Sequence, residues 1–197
     1  MAATPLLFSA LTLADPKVLA RGLRRRDPEL LDWLIEQYQY RLFRYLLCIT
    51  ASREIAEDVF QETWVRVLDR GRQYDGKSKF EMWLFSISRH LVIDLQRRKT
   101  PQSLDALADP YQSGGHEFAA SDPSPLDLFS RGEEEASIRA SLERIPAIHR
   151  EVLLLRFQED LLLEEIAVVL SLPLSTVKSR LYRALQFLRE SLERENT

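Results

Sequence analysis

Hydrophobic positions recur at helical spacing through the first half of the chain. The stretch LLDWLIEQYQYRLFRYLLCI, residues 30–49, places apolar side chains three or four residues apart. This spacing predicts an amphipathic helix with one buried side. The predicted buried side consists of Leu31, Ile35, Tyr38, Leu42, Tyr45, Leu46 and Ile49.

The next apolar stretch predicts a second helix, which begins after Ser52. Serine is a preferred N-cap residue, and acidic residues follow it, as they commonly do in a first helical turn. The predicted core side consists of Ile55, Val59, Trp64, Val67 and Leu68. A polar cluster of Asp58, Gln61 and Glu62 is then left on the outside.

A turn signal, YDGKS at residues 74–78, precedes a third predicted helix. Its apolar side consists of Phe80, Trp83, Leu84, Ile87, Leu91 and Leu95. The helix ends in the basic run Arg97, Arg98 and Lys99. No strand pattern competes with these helical periods, so the sequence predicts an all-α fold.

Residues 100–132 interrupt the periodicity and indicate a flexible linker. The segment holds four prolines, paired glycines and many Ser and Asp residues. We therefore divide the chain into an N-terminal extension (1–26), a first helical domain (27–99), the linker (100–132) and a second helical domain (133–197). As a relaxed coil the linker would span only ~30 Å, whereas fully stretched it reaches ~110 Å.

The second domain ends in two short helical patterns separated by a proline-marked turn. EEEASIRASLERI and PAIHREVLLLRF predict the two helices before them. The first stripe of the final pair consists of Leu163, Ile166, Ala167 and Leu170, and the second of Val177, Leu181, Ala184, Leu185 and Leu188. Their burial would leave Thr176, Lys178, Ser179, Tyr182 and Arg183 outside, near the start of the last helix.

This arrangement is typical of a helix-turn-helix, whose second helix enters the DNA major groove. Periodicity alone fits two packed amphipathic helices equally well. However, residues 171–189 carry four basic side chains and no acid, which favours contact with phosphates and base edges.

Composition narrows the function classes. The chain has 197 residues, of which 45% are hydrophobic, and its net charge is −3. That charge is uneven, because residues 101–135 hold one basic and eight acidic residues whereas residues 1–100 hold 17 basic and 13 acidic ones. One cysteine and three scattered histidines offer neither a disulfide framework nor a metal site. We expect a cytoplasmic protein without signal peptide, membrane span, cofactor or catalytic residues.

Three segments together resemble the sigma factors of bacterial RNA polymerase, specifically the small extracytoplasmic-function (ECF) group. They are IAEDVFQETWVRV, YDGKSKFEMWLFSISRHLVIDLQRR and IPAIHREVLLLRFQEDLLLEEIAVVLSLPLSTVKSRLYRALQFLR, in this order and separated by the linker. The resemblance covers roughly residues 27–99 and 133–190. It implies a non-enzymatic initiation subunit whose partners are core RNA polymerase, promoter DNA and an anti-sigma factor.

The resemblance also implies roles for individual residues. It assigns core polymerase binding to Asp58, Gln61 and Glu62, for which a solvated helix face is the alternative. It assigns minus-10 binding and melting to Tyr74, Asp75, Lys77, Ser78, Arg89, His90, Arg97 and Arg98. Phe80 and Trp83 flank this set, with core packing as their alternative. It assigns minus-35 binding to Thr176, Lys178, Ser179, Arg180, Tyr182 and Arg183, with a surface ion pair as the alternative for Arg180.

The chain departs from the pattern of the family at several positions. Ser171 stands at a turn where glycine is usual, Leu163 replaces a capping serine, and His90 stands where asparagine is common. Residues 1–26, with the basic run at 24–26, have no counterpart that the resemblance supplies. Two other functions remain open: an ordinary helix-turn-helix regulator that binds duplex DNA alone, and a decoy that binds polymerase or an anti-sigma protein without reading DNA.

Overall fold

Aspartate and proline start the first two helices. The computed structural model describes residues 15–99, 142 and 145–195. The side chains of Asp15 and Asp27 cap these helices by accepting hydrogen bonds from backbone N–H groups two residues later, at 2.8 and 3.1 Å. A proline follows each aspartate in the first helical position, where its missing N–H costs nothing.

The described residues form seven α-helices and no strand, which confirms the all-α prediction for this part of the chain. In the first lobe, residues 15–99, α1 is Pro16–Arg25, α2 is Pro28–Thr50, α3 is Arg53–Arg70 and α4 is Phe80–Lys99. A 3-10 turn, Gly71–Gln73, follows α3. In the second lobe, residues 145–195, α5 is Ala147–Leu153, α6 is Leu163–Leu170 and α7 is Leu174–Glu195. A wide π-type turn, Leu154–Gln158, continues α5.

The buried sides of α2 and α3 largely match the predicted ones. On α2, Leu30 and Leu34 are buried, while the predicted Leu31 and Ile35 are half-buried. On α3 the prediction for Leu68 is wrong, because this side chain is 42% exposed. Thr63, outside the predicted set, is instead fully buried, and its hydroxyl is satisfied there by donating to the carbonyl of Val59 at 2.6 Å.

The predicted turn between the last two helices is formed with serine. Ser171 adopts the left-handed conformation, with φ 52° and ψ 44°, and its N–H bonds back to α6. The N-cap of α6 is Leu162, one residue before the position predicted from Leu163, and it likewise supplies no capping oxygen. Glu165 compensates in part by accepting the Leu162 N–H at 2.7 Å. On α7, Val177 and Ala184 are buried as predicted.

For one member of the α7 stripe the predicted burial is wrong, because the side chain of Leu185 is 40% exposed. The predicted linker and the helix EEEASIRASLERI lie almost wholly outside the described residues, so both stay predictions. Within the described helices, none is long and apolar enough to cross a bilayer.

The two lobes touch, which the sequence did not predict. α4 packs against α6 and α2 packs against α5. A single buried apolar cluster contains residues of both lobes, such as Leu42 and Leu46 from the first and Leu155 and Ile166 from the second. We call this packing the closed arrangement.

Candidate nucleic-acid interface

The exposed side of α7 carries the predicted DNA-reading residues. Lys178, Ser179 and Arg183 are exposed, and Tyr182 is 76% exposed. Thr176, in the first turn, is half-buried. These groups stand close to the N-terminus of a helix whose other side is fixed by the buried Val177 and Ala184. The structure therefore presents donors for phosphate and base edges on a rigid support.

Arg180 differs from its neighbours on α7. It is half-buried, and its backbone carbonyl lies 3.2 Å from Nδ1 of the buried His149 on α5. The same histidine contacts the ring of Phe187, with centroids 5.7 Å apart. This packing fixes α7 against α5, while contact of Arg180 with DNA stays a prediction.

The ring of Tyr74 lies inside the first lobe. It is 1% exposed, contacts the rings of Phe80 and Trp83 at 5.7 and 5.4 Å, and donates its hydroxyl to the Ser78 carbonyl at 2.7 Å. The prediction that this ring faces unstacked bases does not hold here, because no face of the ring is open. Core packing also accounts for Phe80, which is 1% exposed, whereas Trp83 is half-buried.

Burial of Tyr74 shapes the loop between α3 and α4. Burial, followed by the nearby carboxylates of Glu81, Asp75 and Asp15, raises the pKa of Tyr74 to about 12. The hydroxyl therefore stays protonated and keeps its hydrogen bond across the loop at neutral pH. Tyr74 acts as an internal tie for residues 74–78.

The polar side chains of this loop point outward. Asp75 and Lys77 are exposed and Ser78 is half-buried. The Asp75 carboxylate accepts the Lys77 N–H at 3.0 Å and lies 3.3 Å from the Lys77 ammonium. The backbone N–H of Lys77, more than its charge, lowers the pKa of Asp75. The loop thus offers one carboxylate and one ammonium at its tip.

Arg89 is buried between the lobes. Its side chain is 6% exposed, and its Nε lies 3.2 Å from Oε1 of Glu151, which is fully buried on α5. The Tyr45 hydroxyl donates to the same oxygen at 2.8 Å. The prediction that Arg89 contacts phosphates does not hold in the closed arrangement, because the guanidinium is buried and already paired with a carboxylate of this chain.

Other predicted residues of α4 are accessible. His90, Arg97 and Arg98 are exposed. Nδ1 of His90 lies 2.6 Å from the Ser86 carbonyl one turn earlier in the helix, so Nε2 takes no part in this hydrogen bond. The C-terminal end of α4 therefore offers positive charge, roughly 25 Å along the helix from the loop.

The predicted polymerase-binding residues lie on α3. Asp58 and Gln61 are exposed, while Glu62 is half-buried and pairs with Arg66 at 2.7 Å within the helix. The opposite side of α3 packs against both α2 and α4. The closed arrangement thus leaves this polar face open.

Sequence reasoning missed the acids that join the lobes. Glu151 pairs with Arg89, Glu159 pairs with Arg41 at 2.6 Å, and Glu165 pairs with Lys79 at 3.2 Å. The one available signal was an acid inside the apolar run REVLLLRF, since a buried acid requires a partner. In the described part of the chain, no group of three or more His, Cys, Asp or Glu side chains is placed to hold a metal ion.

Both lobes match known families in sequence. Residues 34–102 match the family described as Sigma-70 region 2, and residues 135–188 match Sigma-70, region 4. The chain is 31% identical over 166 residues to the ECF RNA polymerase sigma factor SigE of Mycolicibacterium smegmatis, which covers 84% of this chain and 63% of SigE. It is 29% identical over 189 residues to the RNA polymerase sigma-H factor of Pseudomonas aeruginosa, covering 93% and 96%. The chain thus spans under two thirds of the length of SigE.

Solved structures share the fold. The sigma factor RpoE of Bartonella quintana, solved with the anti-sigma factor NepR, matches with a TM-score of 0.64 and 20% identity over 82% of this chain and 96% of that chain. CnrH, solved with the cytosolic domain of CnrY, matches with a TM-score of 0.61 and 21% identity over 91% and 97%. At these identities the likeness concerns the fold alone.

Proposed function

Because the chain belongs to the ECF group of RNA polymerase sigma factors, we propose that it directs core polymerase to particular promoters and helps to melt them. Sigma factors are non-catalytic initiation subunits. The protein therefore acts through the free energy of binding, and its specificity lies in which side chains meet which bases.

The observation that carries the proposal is the exposed, acid-free start of α7. Lys178, Ser179 and Arg183 stand together there, and Tyr182 extends beside them. The N-terminal residues of a recognition helix enter the major groove, where Lys and Arg bind guanine and phosphate and Ser binds several bases. We assign this surface to the minus-35 element.

The loop 74–78 and the end of α4 form the second proposed DNA surface. Asp75 and Lys77 offer an acceptor and a donor to the edge of an unpaired base, while Arg97 and Arg98 offer charge to phosphates. Unstacking a base costs a few kcal/mol, so contacts to extruded bases favour the melted strand. His90, exposed on α4, belongs to the same surface. In this proposal Tyr74 holds the loop and does not touch DNA.

We assign docking on core polymerase to the face of α3. Asp58 and Gln61 are exposed there without a role in either lobe's core, and Glu62 adjoins them. Since the closed arrangement leaves this face uncovered, polymerase can bind before the lobes separate.

Promoter binding requires the lobes to separate. The two elements lie about two helical turns apart, ~70 Å, and lobes in direct contact cannot reach both. Separation also frees Arg89 from Glu151. We therefore propose that Arg89 reaches phosphates only in the separated state. By likeness to the B. quintana complex, we further propose that an anti-sigma protein binds this chain.

Run-off transcription from a pooled genomic template tests the proposal. Core polymerase is assayed with the wild-type protein, with Lys178→Ala plus Arg183→Ala, and with Arg21→Ala plus Arg24→Ala. The last pair removes the same charge from exposed positions of α1. We expect new start sites with the wild type and the control pair, and their loss with the α7 pair, since each base contact contributes about 1–3 kcal/mol.

Other outcomes would contradict the proposal. Binding of core without any new start site would favour a decoy. Tight binding of duplex DNA in the absence of core, with no effect on transcription, would favour a simple regulator. The formed turn at Ser171 counts against a decoy whose recognition helix is displaced.

A further inference from the structure

The loop between α3 and α4 is held from two sides. On the inner side, Tyr74 is anchored among the rings of Phe80 and Trp83. On the outer side lies α1, which packs against the 3-10 turn that leads into the loop. The inner contact holds the loop to its own following helix, while the outer one joins the loop to a separate helix.

Gly76 is the point at which the loop meets α1. Its φ is 71°, a conformation that side-chain-bearing residues rarely adopt. A Cβ atom on Gly76 would lie 2.6 Å from the carbonyl oxygen of Pro16 and 3.2 Å from Cα of Lys17. Both are backbone atoms, which no side-chain rotation can move away. The backbones of loop and helix are therefore in direct contact.

A second contact fixes the same helix, α1, near its C-terminal end. A Cβ on Gly71 would lie 3.1 Å from the carbonyl oxygen of Leu23. Leu19, Ala20 and Leu23 are all buried, so α1 is held firmly by its apolar side. Its start is fixed by the cap at Asp15, next to the residue that meets Gly76. The described part of the predicted N-terminal extension is thus integrated into the first lobe.

We propose that α1 is a brace that sets the position of the loop 74–78, and that Gly76 is the positioning residue through which it acts. This inference rests on the proposed function, because the braced loop carries Asp75 and Lys77 toward the minus-10 bases. Gly76 touches no DNA itself. It determines where the reading side chains stand, so its replacement should change promoter opening more than polymerase binding.

Two substitutions separate contact from backbone conformation. Gly76→Ala introduces both a Cβ and an unfavourable left-handed conformation. Gly76→Asn introduces the same Cβ, yet asparagine tolerates positive φ much better. The control is Asp160→Ala, because Asp160 also has positive φ (51°) but lies in the second lobe. Each protein is assayed for affinity to core, for permanganate reactivity of unpaired thymines, and for transcription from templates with a randomised minus-10 element.

We expect both Gly76 variants to lower thymine reactivity at least tenfold and to alter the preferred minus-10 sequence. Their affinity for core should stay within twofold of the wild type, as should every property of the control. An asparagine variant that behaves like the wild type would overturn the brace, since only backbone conformation would then matter. Parallel loss of core binding and opening would also overturn it, because that pattern indicates general destabilisation.

Amide hydrogen exchange tests the brace without DNA. In Gly76→Asn we expect faster exchange both in residues 74–78 and in residues 17–20, because each segment holds the other. Faster exchange in the loop alone would refute the inference. If the wild-type protein opens no promoter at all, the proposed function fails, and the exchange result still decides whether α1 braces the loop.

Discussion

Glu151→Gln is expected to open the closed arrangement. Glu151 is fully buried, and its carboxylate faces an arginine side chain that is only 6% exposed. Glutamine has nearly the same shape and still offers an oxygen to the Tyr45 hydroxyl, but it leaves Arg89 as a buried charge without this counter-ion. Removing one partner of a buried ion pair costs about 3–5 kcal/mol.

The cost falls on the closed arrangement alone, because water solvates Arg89 once the lobes separate. With the tyrosine hydrogen bond retained, we take the lower value of ~3 kcal/mol, which shifts the ratio of closed to open protein by roughly 100-fold. Energy transfer between dyes measures this shift. The dyes are attached to cysteines introduced at Glu54 and Ser175, one exposed site in each lobe, after Cys48→Ala.

We expect lower transfer efficiency for Glu151→Gln than for the wild type and for Glu57→Gln. The control removes an equal charge from an exposed pair within α3. Unchanged efficiency in Glu151→Gln would refute the reasoning. A simultaneous loss of energy transfer and of the helical circular dichroism signal would refute it as well, because the variant would then be unfolded and not merely open.

Three further outcomes follow from the structure. Linking cysteines at Lys79 and Glu165 with a short bismaleimide should abolish promoter-directed transcription while core binding persists; full activity of the linked protein would show that separation is unnecessary. Ser171→Gly should raise the free energy of unfolding in urea by about 0.5–1 kcal/mol, because glycine adopts the left-handed turn without strain; a loss of stability would contradict this. Leu162→Ser should raise the same free energy of unfolding by about 1 kcal/mol, because serine supplies the missing capping oxygen of α6. We expect this gain only while Glu165 still accepts the hydrogen bond from the backbone N–H of residue 162.

Local patterns predicted most of the helices. Ser52 caps α3 as expected, its hydroxyl accepting the Ile55 N–H, and the break at residues 74–78 separates α3 from α4. Periodicity fails at the edges of a stripe, as with Leu68 and Leu185, because a residue some 100° from the centre of a helix face is buried only if a neighbour covers it.

The sequence could not predict what each buried face packs against. Arg89 reads as a surface cation, since arginine is almost never fully buried unless paired. Its partner Glu151 lies 62 residues away, and no local pattern connects the two. The burial of Tyr74 could not be predicted for a similar reason. A tyrosine in a turn suggests exposure, whereas its burial depends on rings contributed by the following helix.

The pairing of Arg89 with Glu151 has a consequence during synthesis of the chain. Ribosomes add about 5–20 residues per second, so the 62 residues between the two positions take roughly 3–12 s to make. During that interval the synthesis of α4 is completed, but the nascent first lobe still lacks the acid that covers its arginine. Every molecule therefore passes through a stage at which Arg89 exists without Glu151, and the contact between the lobes can form only after the second lobe has been made.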